Sequence, residues 1–362
     1  MKRLELLDYG RFFAAIIVVL FHYTFNGIAN GKIDSISHIA SVIEFSKYGY
    51  LGVELFFMIS GYVIFFSARN RTCSGFAVSR AIRLYPAYWF AVLFTSFFAL
   101  KWGGKFMSVY PGQIIANLSM LQSFLGIGHV DDVYWTLIYE ISFYFGVLLL
   151  LMFGLQKKLH FLFICWPILF CIAIALDKES LPYLGNYYYY FSAGALFAVL
   201  KERVDWRAVL SLFVSFILAI NFAITKSVQF EEARGVDYSP TAVGLIVTLF
   251  FAFFIYQNTK KAQLLKLPMS KLFGALTYPV YLIHASFGYI FLNQFATEEN
   301  KVELYALIIS LVLVIAYLIH KIIEVHLSQI WVKVFNLTLG NTINYIEKLP
   351  SILQMFYGKL IA

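Results

Sequence analysis

Charge is scarce in this 362-residue chain: Asp, Glu, Lys and Arg together make up 13% of it, where a soluble globular domain carries about 25%. That excludes the ordinary soluble class. No long polar stretch could form a soluble partner domain, so one membrane domain is expected. Cysteine is scarcer still. Cys73, Cys165 and Cys171 fall in no C-x-x-C or zinc spacing, which excludes a disulfide framework and leaves free thiols. There is no H-E-x-x-H, no P-loop, no G-x-S-x-G elbow and no Rossmann fingerprint. The histidines are scattered, so no metal site is expected. What is present is apolar: 61% of the residues are hydrophobic and 19% aromatic, with a mean hydropathy of +0.76. Repeated long apolar segments point to an all-α membrane protein, a polytopic bundle.

Ten spans are expected, at about 8–26, 48–67, 82–100, 134–155, 159–176, 187–200, 207–224, 241–257, 274–293 and 303–324. The sixth is short and weak, and 112–126 reads as a re-entrant or interfacial segment. The net charge of +8 is unevenly placed. With the N-terminus inside, the inner segments hold Lys2, Arg3, Arg69, Arg71, Arg80, Arg83, Lys157, Lys158, Lys201, Arg203, Arg207, Lys260, Lys261, Lys266 and Lys271. The outer loops hold fewer basic residues and more acidic ones. The positive-inside rule then puts both termini in the cytoplasm. It also argues for an anionic ligand on one face and against nucleic acid. Met1-Lys2-Arg3 before an apolar run mimics a signal peptide, but Arg11 and His22 inside that run argue for a retained helix. The tail 326–362 mixes apolar and basic residues and is expected along the inner surface as an amphipathic helix.

Several ionisable groups lie inside the spans. Arg11 and His22 share the first one. Each costs roughly 2.5–3.5 kcal/mol at a helix centre by insertion scales, so such groups face the bundle interior and mark function. Eleven residues at ~100° each make three turns plus ~20°, so both side chains point the same way, roughly 16 Å apart along the axis. The bland readings are a snorkelling anchor for Arg11 and an interhelical hydrogen bond for His22. Arg80 and Arg83, at i,i+3, share one helical face at the start of the third span. Two guanidinium forks suit a phosphate or pyrophosphate, although a topological determinant beside anionic lipid explains them as well. Glu54 in the second span, Glu140 in the fourth and His284 in the ninth complete the set. By depth Glu54 and Glu140 are expected near His22, with a structural ion pair or proton relay as the alternative.

In this order the segments resemble the membrane-bound acyltransferase-3 family, whose best-known members O-acetylate bacterial surface polysaccharides. Leu7-Asp8 through His22 is similar to the family's opening motif, with its R-x10-H pair at Arg11 and His22. Gly52 to Tyr62 resembles its G-V-x-L-F-F-x-x-S-G segment, and Arg80 and Arg83 match its R-x-x-R. Trp135 to Tyr144 resembles W-[ST]-L-x-x-E-x-x-F-Y, with Glu140 as the acid, and Leu276 to His284 resembles Y-x-x-Y-L-x-H. Phe12, Pro279 and the proline-free Glu324-Val325-His326 depart from the family pattern. The resemblance covers about residues 5–325, and 1–325 is expected as the acyltransferase-like domain.

The resemblance implies an acyl-CoA donor, usually acetyl-CoA, entering from the cytoplasm, with no permanently bound cofactor. It implies an acceptor hydroxyl on a surface or exported carbohydrate, polysaccharide or lipid-linked glycan, and a place in the bacterial inner membrane. Arg80, Arg83 and Arg11 would hold the CoA phosphates, with Trp135, Tyr139 and His284 also at the substrate. His22 would act as general base or brief acyl carrier, oriented by Glu140 or Glu54. A proton-coupled transporter or flippase is the rival, since intramembrane Arg, His and Glu also mark transport. A non-catalytic scaffold ranks third.

Overall fold

The computed structural model describes residues 4–348, and over them the chain is helical with no strand. The protein is an all-α polytopic membrane protein. Among the described residues, eight helices are long and apolar enough to cross a membrane, and a helix pair bent by 64° passes the same test when taken together. The main helices are α1 (Glu5–Phe21), α2 (Gly52–Arg69), α3 (Cys73–Trp102), α4 (Trp135–Met152), α5 (Leu159–Ala175) and α6 (Tyr188–Glu202). They continue with α7 (Trp206–Arg234), α8 (Pro240–Gln257), α9 (Ser270–Ile283), α10 (Ala285–Phe295), α11 (Lys301–Leu318) and α12 (Ser328–Phe335).

Eight of the ten expected spans meet the length and apolarity of a crossing as single helices, the ninth does so only as the bent pair, and the sixth does not. Helix α6 has 15 residues, about 22 Å at 1.5 Å per residue, short of a ~30 Å hydrocarbon core. It is not a lipid-facing helix. Every residue from Tyr188 to Val199 is buried, because α6 packs on α2 with glycines at the crossing. A Cβ at Gly194 would fall 1.9 Å from the Met58 carbonyl oxygen, and one at Gly61 2.0 Å from that of Phe191. Helices α5, α7 and α11 bury little of their surface and form the periphery. The 112–126 segment forms a short helix, Pro111–Leu118, and a turn. It is pinned to α3 where Trp89 donates to the Leu118 carbonyl (2.9 Å) and Tyr85 to that of Ser119 (3.1 Å).

Local chemistry sets the helix ends. Thr72 accepts from the Gly75 N–H to cap α3, and Asp205 from that of Arg207 to cap α7. Gly235 ends α7 with φ +63°, a left-handed conformation that suits glycine. Pro240 starts α8, where its missing N–H has no helical partner to lose.

Two irregularities shape the interior. At His22 helix α1 passes into a π-helical turn, His22–Asn26, buried throughout; such turns often sit at functional sites. Helices α9 and α10 meet at His284 with a 64° bend. The carbonyls around the break are satisfied by tyrosines, Tyr23 donating to His284 (2.7 Å) and Tyr134 to Leu282 (3.2 Å). Gly288 leaves room for Tyr23, whose ring and hydroxyl would lie within 2.4 Å of a Cβ there.

Beyond α11 the chain stays helical through a π-turn, α12 and on to residue 348. Phe335 stacks on Trp89 of α3 at 6.0 Å between ring centroids. The rest of the expected tail, 349–362, lies outside the described residues.

Candidate functional site

Three arginines from two helices converge on one cavity. Arg11 of α1 and Arg80 and Arg83 of α3 line a space of about 260 Å³, together with Ser60, Glu140, Tyr144, Thr277, Tyr278 and Tyr281. The i,i+3 spacing on α3 works as expected, since both of its guanidiniums reach the same cavity. The Arg80 guanidinium lies 5.8 Å from the Tyr144 ring centroid and that of Arg83 5.4 Å from the Tyr278 ring. Cation–π contact of this kind orients a guanidinium without neutralising it.

Two of the three arginines have a carboxylate within 4.0 Å, while the nearby Glu140 is bonded to neutral groups. Glu140 accepts from the Tyr144 hydroxyl and, at 3.4 Å, from Ser60. Arg83 lies 3.7 Å from Glu324, which also binds His320 (2.8 Å). Arg11 and Asp8 are 4.0 Å apart, and Asp8 sits against Gly274 of α9, where a Cβ would be 2.4 Å from its oxygen. The Nε of Arg80 is buried with no hydrogen-bond partner. An unused buried donor beside two further guanidiniums is the chemistry of an anion site.

His22 is not in that cavity. Its Nδ1 is bonded to the Tyr289 hydroxyl, and its ring lies 4.9 Å from that of His284 at 73°. The two histidines expected from the first and ninth spans are thus brought together at the α9–α10 break. Tyr281 stands between this pair and the arginine cavity. It lines the cavity, and its ring lies 5.6 Å from that of His284. The Tyr281 hydroxyl is held by Thr136 (2.8 Å) and the Val133 carbonyl (3.2 Å).

Two placements correct the sequence reading. Neither Glu54 nor Glu140 bonds His22; the imidazole is oriented by a tyrosine. Glu140 belongs to the arginine cavity. Glu54, 1% exposed in the first turn of α2, leaves one oxygen without a partner, and its electrostatic neighbours include Tyr50, Tyr187, Tyr190, Lys226 and Tyr281. Equal depth in the membrane does not fix a residue's position around the bundle axis. Trp135 and Tyr139 also lie apart from the cavity. They line a separate groove of about 300 Å³ with Asn186 and Tyr188, because on α4 they lie ~100° around the helix from Thr136 and Glu140.

Some functional neighbours carried no sequence signal. Asp131 caps two elements at once, accepting from the Val133 N–H (3.2 Å) and from the Ser286 N–H at the start of α10 (2.9 Å). Burial, then the Asp132 carboxylate, pushes the Asp131 carboxyl up to about 7, against the pull of those two N–H bonds. A folded value raised above the unfolded ~3.9 means the folded state holds the proton more tightly. The associated stability is present in full below that unfolded value and is lost as pH rises through about 7. The detergent-solubilised protein should therefore have a higher Tm at pH 6 than at pH 8. Asp131→Asn should remove most of that difference while giving up one cap, about 1 kcal/mol. An unchanged pH dependence in the variant would assign the titration to another group.

Among the described residues no three His, Cys, Asp or Glu side chains come together as a metal site. The family model described as an acyltransferase domain, acyltransferase-3, matches residues 4–321 of this chain. No curated protein and no solved structure matches it.

Proposed function

Because this chain belongs to the acyltransferase-3 family, we propose that it is an integral membrane O-acyltransferase that moves an acetyl group from acetyl-CoA to a hydroxyl of a surface or exported carbohydrate. The observation that carries this reading is the convergence of Arg11, Arg80 and Arg83 on one cavity. A CoA tail is rich in phosphate, and planar forks bind phosphate with two parallel bonds. The arginine-bearing end faces the cytoplasm, where acyl-CoA is found, in a bacterial inner membrane. Glu140, tied to Tyr144 and Ser60, forms part of the cavity wall.

The cavity of about 260 Å³ is small for a whole cofactor-sized ligand. It takes the charged part, and the acyl arm continues past Tyr281. Rotation of that ring away from Thr136 opens the way to His284 and His22. His22 and His284 then act together at the thioester, and no permanently bound cofactor is required. The acceptor meets the thioester from the outer side, where Trp135 and Tyr139 offer aromatic faces to a sugar.

The transporter reading has one observation in its favour, the broken α9–α10 helix with two histidines at the bend. The test separates the two. Purified protein is given labelled acetyl-CoA, and CoA release is followed with and without a surface-polysaccharide fraction. Acceptor-stimulated release with label in polymer is expected; no release from several acyl donors by folded protein overturns the reading. The Arg80→Ala, Arg83→Ala double variant should raise KM for acetyl-CoA at least ~10-fold with a smaller effect on kcat, since it removes binding rather than chemistry. An unchanged KM removes the pair from the donor site.

A further inference from the structure

We propose that His22 and His284 are held in opposite tautomers, so that His284 is the base of the reaction and His22 the hydrogen-bond donor. The division of labour rests on the acyltransfer reading above; the tautomers themselves follow from hydrogen-bond direction.

A chain of hydrogen bonds starts at Arg234, at the end of α7. A guanidinium only donates, and Arg234 gives both its Nε (3.0 Å) and its Nη2 (2.6 Å) to Oδ1 of Asn26. That fixes which way the amide faces. Its Nδ2 therefore faces, and donates to, the Tyr289 oxygen at 2.9 Å. Tyr289 is fully buried, and its hydroxyl has a single proton to give. The other partner of that oxygen is Nδ1 of His22. The Tyr289 proton finds an acceptor only when the phenol donates to Nδ1, which leaves the proton of a neutral His22 on Nε2. Gly27 makes room for this chain, since a Cβ there would lie 2.5 Å from the Tyr289 ring.

His284 is fixed the other way. Its Nδ1 faces two carbonyl oxygens, Tyr281 at 2.8 Å and Val280 at 3.2 Å. Carbonyls only accept, so Nδ1 bears the proton and Nε2 the lone pair. That Nε2 is buried without a partner. Leaving such a group unpaired costs on the order of 1–3 kcal/mol, and a lone pair kept free at a reaction centre is what a base needs. Among the described residues neither ring forms an ion pair with a carboxylate, so no adjacent anion favours a charged ring.

The step balances without another reagent. His284 Nε2 takes the proton of the acceptor hydroxyl as its oxygen bonds to the thioester carbon. The Nε2–H of His22 donates to the carbonyl oxygen as it gains negative charge. The carbon–sulfur bond breaks, the ester is released, and the departing thiolate receives the proton from His284. Tyr289, Asn26 and Arg234 are positioning residues: they act through His22.

The spectroscopic test uses the full-length protein in detergent with ¹⁵N-labelled histidine. His22 should show a protonated Nε2 and a bare Nδ1, and His284 the reverse. Loss of signal in His22→Gln or in His284→Gln makes the assignment, and either one suffices. Tyr289→Phe should erase the His22 preference and leave His284 unchanged. In kinetics, His22→Gln keeps a donor near the Nε2 position and should turn over at least ~10-fold faster than His22→Ala. His284→Gln should be no better than His284→Ala, with kcat lower by roughly 10²–10⁴ and partly rescued by added imidazole. A protonated Nδ1 on His22 overturns the proposal, as does a His22→Gln variant as slow as His22→Ala. Failure of the wild-type protein to consume any acyl-CoA would sink the acyltransfer reading and the division of roles while leaving the tautomer spectrum to stand or fall by itself.

Discussion

Replacing His22 with alanine is expected to lower kcat for acetyl transfer at least ~100-fold, within the 10²–10³ range seen when one donor to a developing oxyanion is removed. KM for acetyl-CoA should change little, because the ring lies outside the arginine cavity. The fold should survive. The bonds that hold the α9–α10 break do not involve the imidazole: Tyr23 donates to the His284 carbonyl, Tyr134 to Leu282, and Asp131 caps α10. Tyr289 keeps its bond from Asn26 in the variant. Initial rates at saturating donor, beside gel filtration and a melting curve, check the result. A fully active, normally folded variant would remove His22 from the chemistry.

A second large effect is expected far from the site. Gly194→Val should prevent recovery of folded protein, and Gly61→Val should do the same. At each position a Cβ would meet the facing helix's backbone, Met58 O at 1.9 Å and Phe191 O at 2.0 Å. Backbone cannot rotate out of the way as a side-chain tip can. Helices α2 and α6 would have to separate, at a cost at or beyond the ~3 kcal/mol of ordinary overpacking. Small residues at a membrane helix crossing stabilise it by close packing that no larger residue reproduces. Gly244 of α8 is the control: a Cβ there meets nothing within 4 Å, so Gly244→Ala should leave expression and Tm unchanged or slightly better. Normal recovery of Gly194→Val would mean that the α2–α6 crossing is not close-packed.

How far the site could be read in advance differs residue by residue. Arg80 and Arg83 were legible because their relation is fixed within one helix: an i,i+3 pair shares a face whatever the rest of the chain does. The same holds for Arg11 and His22, which both meet α9, Arg11 in the cavity lined by Thr277, Tyr278 and Tyr281 and His22 at His284. Glu54 shows the limit. Its depth suggested a partner for His22, but depth fixes one coordinate, and the angle around the bundle is set by which helices touch. The chain Arg234–Asn26–Tyr289–His22 lies beyond that limit, since Arg234 and Asn26 are 208 positions apart. Short-range periodicity carries no record of such a meeting.

Composition and spacing determined that this is an all-α membrane protein, where eight of its candidate crossings fall, and which in-helix pairs share a face. Those properties follow from transfer free energy and from 3.6 residues per turn, both local to a segment. Packing decided the rest. It enclosed the short α6 at a glycine crossing, bent α9–α10 under the cap of Asp131, and divided the expected residues between an arginine cavity and a histidine pair. These are contacts between segments remote in sequence, and they arise only when side-chain volumes, hydrogen-bond directions and helix crossings are satisfied together.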